Sequence, residues 1–153
     1  MTQKKRNYKL VYLGIIAMAI FFSCSKKEDI SEIPSISFES VSPFGNIRQF
    51  EDSILFKISY RDGDGDLGEN IDSVNNLFLT DSRNNVTYKY RLQELAPMGA
   101  KIPIQGSVNI LLTSISLVDP ASSSETTTFS IYLVDRAGNK SNTVTSSVLT
   151  IVP

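Results

Sequence analysis

The chain has 153 residues, a length suited to one domain, with no histidine, no tryptophan and a single cysteine. The missing histidine removes the commonest general base and the commonest transition-metal ligand, and one cysteine excludes an internal disulfide framework. The net charge of −1 is uneven: residues 1–23 hold four basic side chains and no acid, leaving 11 basic against 16 acidic residues, or −5, in the remainder. So acidic a body lacks the basic patch of a nucleic-acid surface, and no nucleic-acid partner is expected.

The basic start, with Lys4, Lys5, Arg6 and Lys9, runs into an uncharged stretch from Leu10 to Phe22 (LVYLGIIAMAIFF). Thirteen residues fall short of the roughly 20 that span a bilayer as a helix. A basic region, an apolar region and a small-residue boundary follow the order of a secretory signal peptide. At Phe22-Ser23-Cys24 the chain resembles bacterial lipoproteins, whose signal peptidase cuts just before a cysteine that becomes lipid-modified. The resemblance implies a signal peptide over 1–23 and a membrane anchor of acyl chains on Cys24, each buried methylene contributing about 0.8 kcal/mol. Ser25, where an Asp would resemble an inner-membrane retention signal, implies an outer-membrane lipoprotein, periplasmic or surface-exposed. Lys27-Glu28-Asp29 resembles a surface-export signal and reads equally well as a solvated linker. Residues 24–33 are thus expected to be the lipidated cysteine and a flexible tether.

From Pro34 onward apolar residues alternate, the period of strands. A first short strand is expected near Ser35–Glu39. Ser53–Tyr60 (SILFKISY) follows, with Ile54, Phe56, Ile58 and Tyr60 on one face. Asn76–Thr80 and Val86–Leu92 are joined by a hairpin turn, Asp81 to Asn85, in which Asn tolerates positive φ. Residues 93–106, punctuated by Pro97, Gly99 and Pro103, read as irregular. Ser107–Leu112, Thr127–Val134 and Thr143–Val152 complete the set, with a polar loop over 119–125 and a hairpin connection over 135–142 (DRAGNKSN). Thr, Ser, Val and Ile dominate these runs, which favours β structure. About seven short strands with turns between them predict an all-β fold, an antiparallel sandwich over 34–153.

The pairing of Arg61–Gly68 (RDGDGDLG) with IYLVDRAGNKSN resembles immunoglobulin-like, cadherin-like domains of bacterial surface lipoproteins. That resemblance implies an immunoglobulin-like antiparallel β-sandwich at the cell envelope and no particular activity.

Asp62, Asp64 and Asp66 place three carboxylates within five residues. At about 5 Å and an effective dielectric near 20 each pair repels by roughly 3 kcal/mol, less where water screens it. Such a loop needs full solvation or a cation, and Ca²⁺ takes six to eight oxygen ligands. Gly63, Gly65 and Gly68 let the backbone fold so that the acids converge. The loop is not an EF-hand: Leu67 stands where the invariant Gly belongs and Ser73 where the bidentate Glu belongs. Further ligands must come from elsewhere. Glu69 and Asp72 are near in sequence, and the immunoglobulin-like topology would bring Asp135 and Asn139 to the same end. Asp-Gly repeats are also ordinary turn formers, and Asp135 and Asn139 could simply close their own turn.

The acids read as crowded on an exposed loop with no cleft, unlike a glycosidase pair. Gly63, Gly65 and Gly68 spell a nucleotide-loop pattern, but the interleaved acids would repel phosphate. The expected function is a non-enzymatic, lipid-anchored binding or adhesion module stabilised by Ca²⁺, with an envelope protein or a glycan as partner. Phe44, Tyr88 and Tyr90 are candidates for a sugar platform, with core or cross-strand packing as their alternative role. The alternative function is an accessory or scaffold subunit of a surface nutrient-uptake or export complex. A carboxylate-based hydrolase is a third reading.

Overall fold

The computed structural model describes residues 30–153, so the signal peptide, Cys24 and residues 24–29 of the tether lie outside the described residues. Ten strands follow in chain order, with no helix among the described residues: β1 (Ser35–Ser42), β2 (Asn46–Arg48), β3 (Ile54–Asp62), β4 (Leu77–Asp81), β5 (Thr87–Tyr90), β6 (Ile104–Leu112), β7 (Glu125–Thr127), β8 (Phe129–Leu133), β9 (Val144–Thr145) and β10 (Leu149–Val152). They form sheets of order β1-β3-β6, β5-β4-β8-β9 and β2-β10-β7.

Each run expected from the alternation is present, although two are divided. The run 127–134 breaks at Thr128, leaving β7 in one sheet and β8 in another, and 143–152 breaks over 146–148 into β9 and β10. The chain therefore changes sheets twice, as strands do at the corner of a sandwich. Buried serines on either side of β9 extend its pairing with β8 through their side chains. Ser146 Oγ accepts from the Phe129 N–H (2.9 Å) and Ser141 Oγ from the Leu133 N–H (2.9 Å). β2 was not anticipated. It follows the cis Ser42–Pro43 bond and runs parallel to β10, so the sandwich is not wholly antiparallel.

The layers close on one core. Ile54, Phe56, Ile58 and Tyr60 point inward from β3, and Leu77, Leu79, Phe129, Ile131 and Leu133 meet them from β4 and β8. Phe56 and Phe129 touch edge to face across the layers, centroids 5.0 Å apart. Burying a side chain of this size contributes about 1.5–3 kcal/mol. At the end of β4 that lies far from the 135–139 hairpin, buried Asp81 pairs with Arg83 (2.6 Å), which also holds Glu125 (2.8 Å).

Candidate metal centre

The period of two that buries Ile54, Phe56, Ile58 and Tyr60 continues for one more step, to Asp62. The last inward position of β3 is thus a carboxylate with no exposed surface. Asp62 Oδ2 accepts from the Leu67 N–H at 3.3 Å, whereas its buried Oδ1 has no hydrogen-bond partner.

The loop that follows is clamped on several sides, contrary to the exposed loop expected. Leu67 is fully buried, its carbonyl accepting from the Leu95 N–H (3.2 Å), and the Glu69 N–H reaches the Leu92 carbonyl (2.9 Å). Gly65 (φ 74°) and Gly68 (φ 87°) occupy left-handed backbone, and a Cβ at either would strike the carbonyl of Ile102 or of Gln93. On the near side the Gly63 N–H donates to the Ser31 carbonyl at 2.8 Å, so the tether ends packed on the loop.

This enclosure turns the three acids together. One carboxylate oxygen each from Asp62, Asp64 and Asp66 lies within 4.8 Å of the others. Two oxygens bound to one Ca²⁺ at 2.3–2.6 Å are at most about 5 Å apart, so the spread fits a shared ion. The Oδ1 atoms of all three are buried without a hydrogen-bond partner. Buried carboxylate oxygens are ordinarily satisfied, because desolvating a charge without compensation is costly. Burial, with Asp64 and Asp66 adding repulsion, pushes the Asp62 carboxyl up to about 6. Asp66 is raised by burial and by the charges of Asp135 and Asp64, against the Ala137 N–H and Arg136.

The 135–139 hairpin does come to the same end. The Ala137 N–H donates to Asp66 Oδ2 (3.0 Å) and the Arg136 N–H to the Asp66 carbonyl (3.3 Å). Asp135 is buried close to Asp66, but its own oxygens accept from the Asn139 N–H (2.7 Å) and Asn139 Nδ2 (2.9 Å). Asp135 and Asn139 therefore close the turn beside the triad and are not in the set within 4.8 Å. Glu69 caps the next turn, its Oε1 accepting from the Asn70 N–H (2.8 Å). The Asp72 side chain, 93% exposed, pairs with Arg91 instead of turning inward.

Two contributors were not singled out from sequence. Arg136 donates to the carbonyls of Gly68 (3.0 Å) and Gly65 (3.4 Å), fixing the loop's backbone and leaving the triad oxygens open. Glu94 lies 3.6 Å from Arg136 and adds another carboxylate to this end. The alternation of β3, carried one residue further, would have flagged Asp62 as inward. Nothing comparable marks Arg136 or Glu94. Among the sugar-platform candidates, Tyr88 and Tyr90 pack against the core, and Phe44 is exposed.

No family model matches the chain, and comparison with curated proteins and with solved structures finds no match either.

Proposed function

We propose that the chain is a non-enzymatic, lipid-anchored envelope module whose sandwich is fastened at one end by Ca²⁺. Asp62, Asp64 and Asp66 are the ligands from the loop, and Asp135 deepens the negative potential beside them. The single observation that carries this reading is the set of three buried Oδ1 atoms, one per aspartate, that accept no hydrogen bond. A divalent cation supplies what all three lack. The alternative of a plain Asp-Gly turn would leave them in water or bonded to backbone N–H groups.

The loop backbone that carries the acids is packed against residues 30–31, 92–95 and 100–102, with Asp62 buried and Asp64 and Asp66 half-buried. A structural ion suits that enclosure better than a pair of carboxylates working on a substrate in a cleft. The orders β1-β3-β6 and β5-β4-β8-β9 fit an immunoglobulin-like arrangement of two facing sheets. The lipid anchor at Cys24 and the outer-membrane location rest on the resemblance of residues 1–24 to lipoprotein signals.

Thermal melting tests the metal. At free Ca²⁺ of 100 times Kd, a site selective for the folded state adds about 2.7 kcal/mol. Millimolar Ca²⁺ is expected to raise Tm, chelator to reverse the rise, and Asp64→Ala to abolish it. A melt indifferent to both would contradict the proposal.

A further inference from the structure

Gly63 stands between two of the three acids, and residues 30–31 cross directly over it. Its N–H donates to the Ser31 carbonyl at 2.8 Å. A Cβ at Gly63 would strike the Ile30 carbonyl oxygen and lie 2.7 Å from the Ser31 carbonyl. The backbone of Gly63, unlike that of Gly65 or Gly68, is outside the left-handed region. A glycine here therefore serves the close approach of residues 30–31 and not a turn of its own. The crossing segment buries little. Ser31, Glu32 and Ile33 are exposed, and the Ile33 N–H turns back onto Ser31 Oγ (3.0 Å). From Pro34, which is buried, the chain is secured independently of the loop. β1 pairs with β3 from Ser35, and the Asn142 side chain holds both the N–H (2.8 Å) and the carbonyl (2.9 Å) of Ile36.

We propose that the metal centre is a latch on this segment: an occupied triad keeps residues 30–33 docked across Gly63, and an empty one lets the chain leave the sandwich at Pro34. The inference rests on the metal reading. Asp62 and Asp66 are pinned on the two sides of the loop by the Leu67 N–H (3.3 Å) and the Ala137 N–H (3.0 Å). Between them, Asp64 Oδ1 is buried and accepts no hydrogen bond. An ion shared by Asp62 and Asp64 fixes the path of Gly63, the residue that links them. Without the ion the two charges repel across that glycine. A segment with little buried surface is among the first to open when its support weakens. The coupling is reciprocal, so docking of the segment favours the ion by the same factor as the ion favours docking. Release frees three residues, Ser31 to Ile33, or about 10 Å of extended chain. The ion thereby sets the length of the link between the sandwich and Cys24.

Limited digestion of the full chain with a glutamate-specific protease tests it, because Glu32 lies in the segment. Cleavage after Glu32, read by mass spectrometry as a fragment beginning at Ile33, should be about tenfold faster in chelator than in saturating Ca²⁺. Cleavage after Glu39, within β1, should stay slow in both, which marks local release and not unfolding. Asp64→Ala should be cut after Glu32 at the faster rate in both conditions. Gly63→Ala, whose Cβ displaces residues 30–31, should also be cut fast in both while Ca²⁺ still raises its Tm. Calorimetry should show its Ca²⁺ affinity about tenfold weaker than the parent's. Titration of Ca²⁺ into the parent separates the two readings. Binding without any change in cleavage after Glu32 would overturn the latch and leave the metal centre standing, and no binding would overturn both. Equal acceleration at Glu32 and Glu39, or a folded Gly63→Ala that is still protected by Ca²⁺, would also overturn the latch. The comparison within the parent decides the matter even where Gly63→Ala fails to fold.

Discussion

At the scale of single residues, Asp62, Asp64 and Asp66 make opposite demands in the presence and absence of an ion. Without metal, their mutual repulsion and the burial of their Oδ1 atoms oppose folding. Asp64→Asn should therefore stabilise the chelator-treated protein, by about 1 kcal/mol after screening, and destabilise it relative to the parent in saturating Ca²⁺. Paired melts in chelator and in Ca²⁺ read that change of sign, and a substitution acting in the same direction in both would point to an ordinary turn. The buried charges at the other end behave conventionally. Burial alone would raise the Asp81 carboxyl, but the Arg83 guanidinium and the Thr127 hydroxyl overcome it and hold it below the usual range. Glu125 is lowered by the N–H groups of Val118 and Asp119 and by Arg83. Both acids have folded-state values below their unfolded ones, so the stability they contribute is present above about pH 4.5 and lost as pH falls further. Asp81→Asn should cost about 2–3 kcal/mol at pH 7, with the difference shrinking in denaturant titrations at pH 3. None of this was legible beforehand, because Asp81 in sequence is simply the first residue of a polar turn.

At the scale of elements, alternation located the strands and failed where a strand divides. Ile54, Phe56, Ile58 and Tyr60 announced β3 correctly, and the Asn85 turn has the positive φ (60°) expected of it. Hydrophobic period cannot show that 143–152 leaves β8 for β7, because the apolar rhythm does not record which neighbour a strand has. The serines that make the change feasible look like surface residues in sequence. Ser146→Ala should leave the buried Phe129 N–H without a partner and cost about 1–3 kcal/mol in chemical denaturation. A cost near zero would mean that water reaches that N–H. The loop after β3 was legible in its chemistry but not in its enclosure. The segments that cover it, 30–31, 92–95 and 100–102, are irregular backbone with no periodic signal.

At the scale of the whole molecule, the chain enters the sandwich at the acidic end, where the Ser31 carbonyl meets the Gly63 N–H. Five residues lie between Cys24 and Ile30, so the two are six residue steps apart, a reach of about 20 Å fully extended. With Cys24 lipidated, the metal centre would thus be held near the bilayer, and an ion that rigidifies the loop would also firm the junction between anchor and domain. Cys24→Ser is expected to move the protein from the membrane fraction to the soluble one, and unchanged membrane retention would remove the anchor. The most direct measurement of the central claim is calorimetric titration of Ca²⁺ into metal-stripped protein, set beside the variant with Asp62, Asp64 and Asp66 all changed to Asn. One Ca²⁺ per chain in the parent and none in the variant is the predicted result. The absence of binding in a folded parent, or equal binding in both, would contradict it.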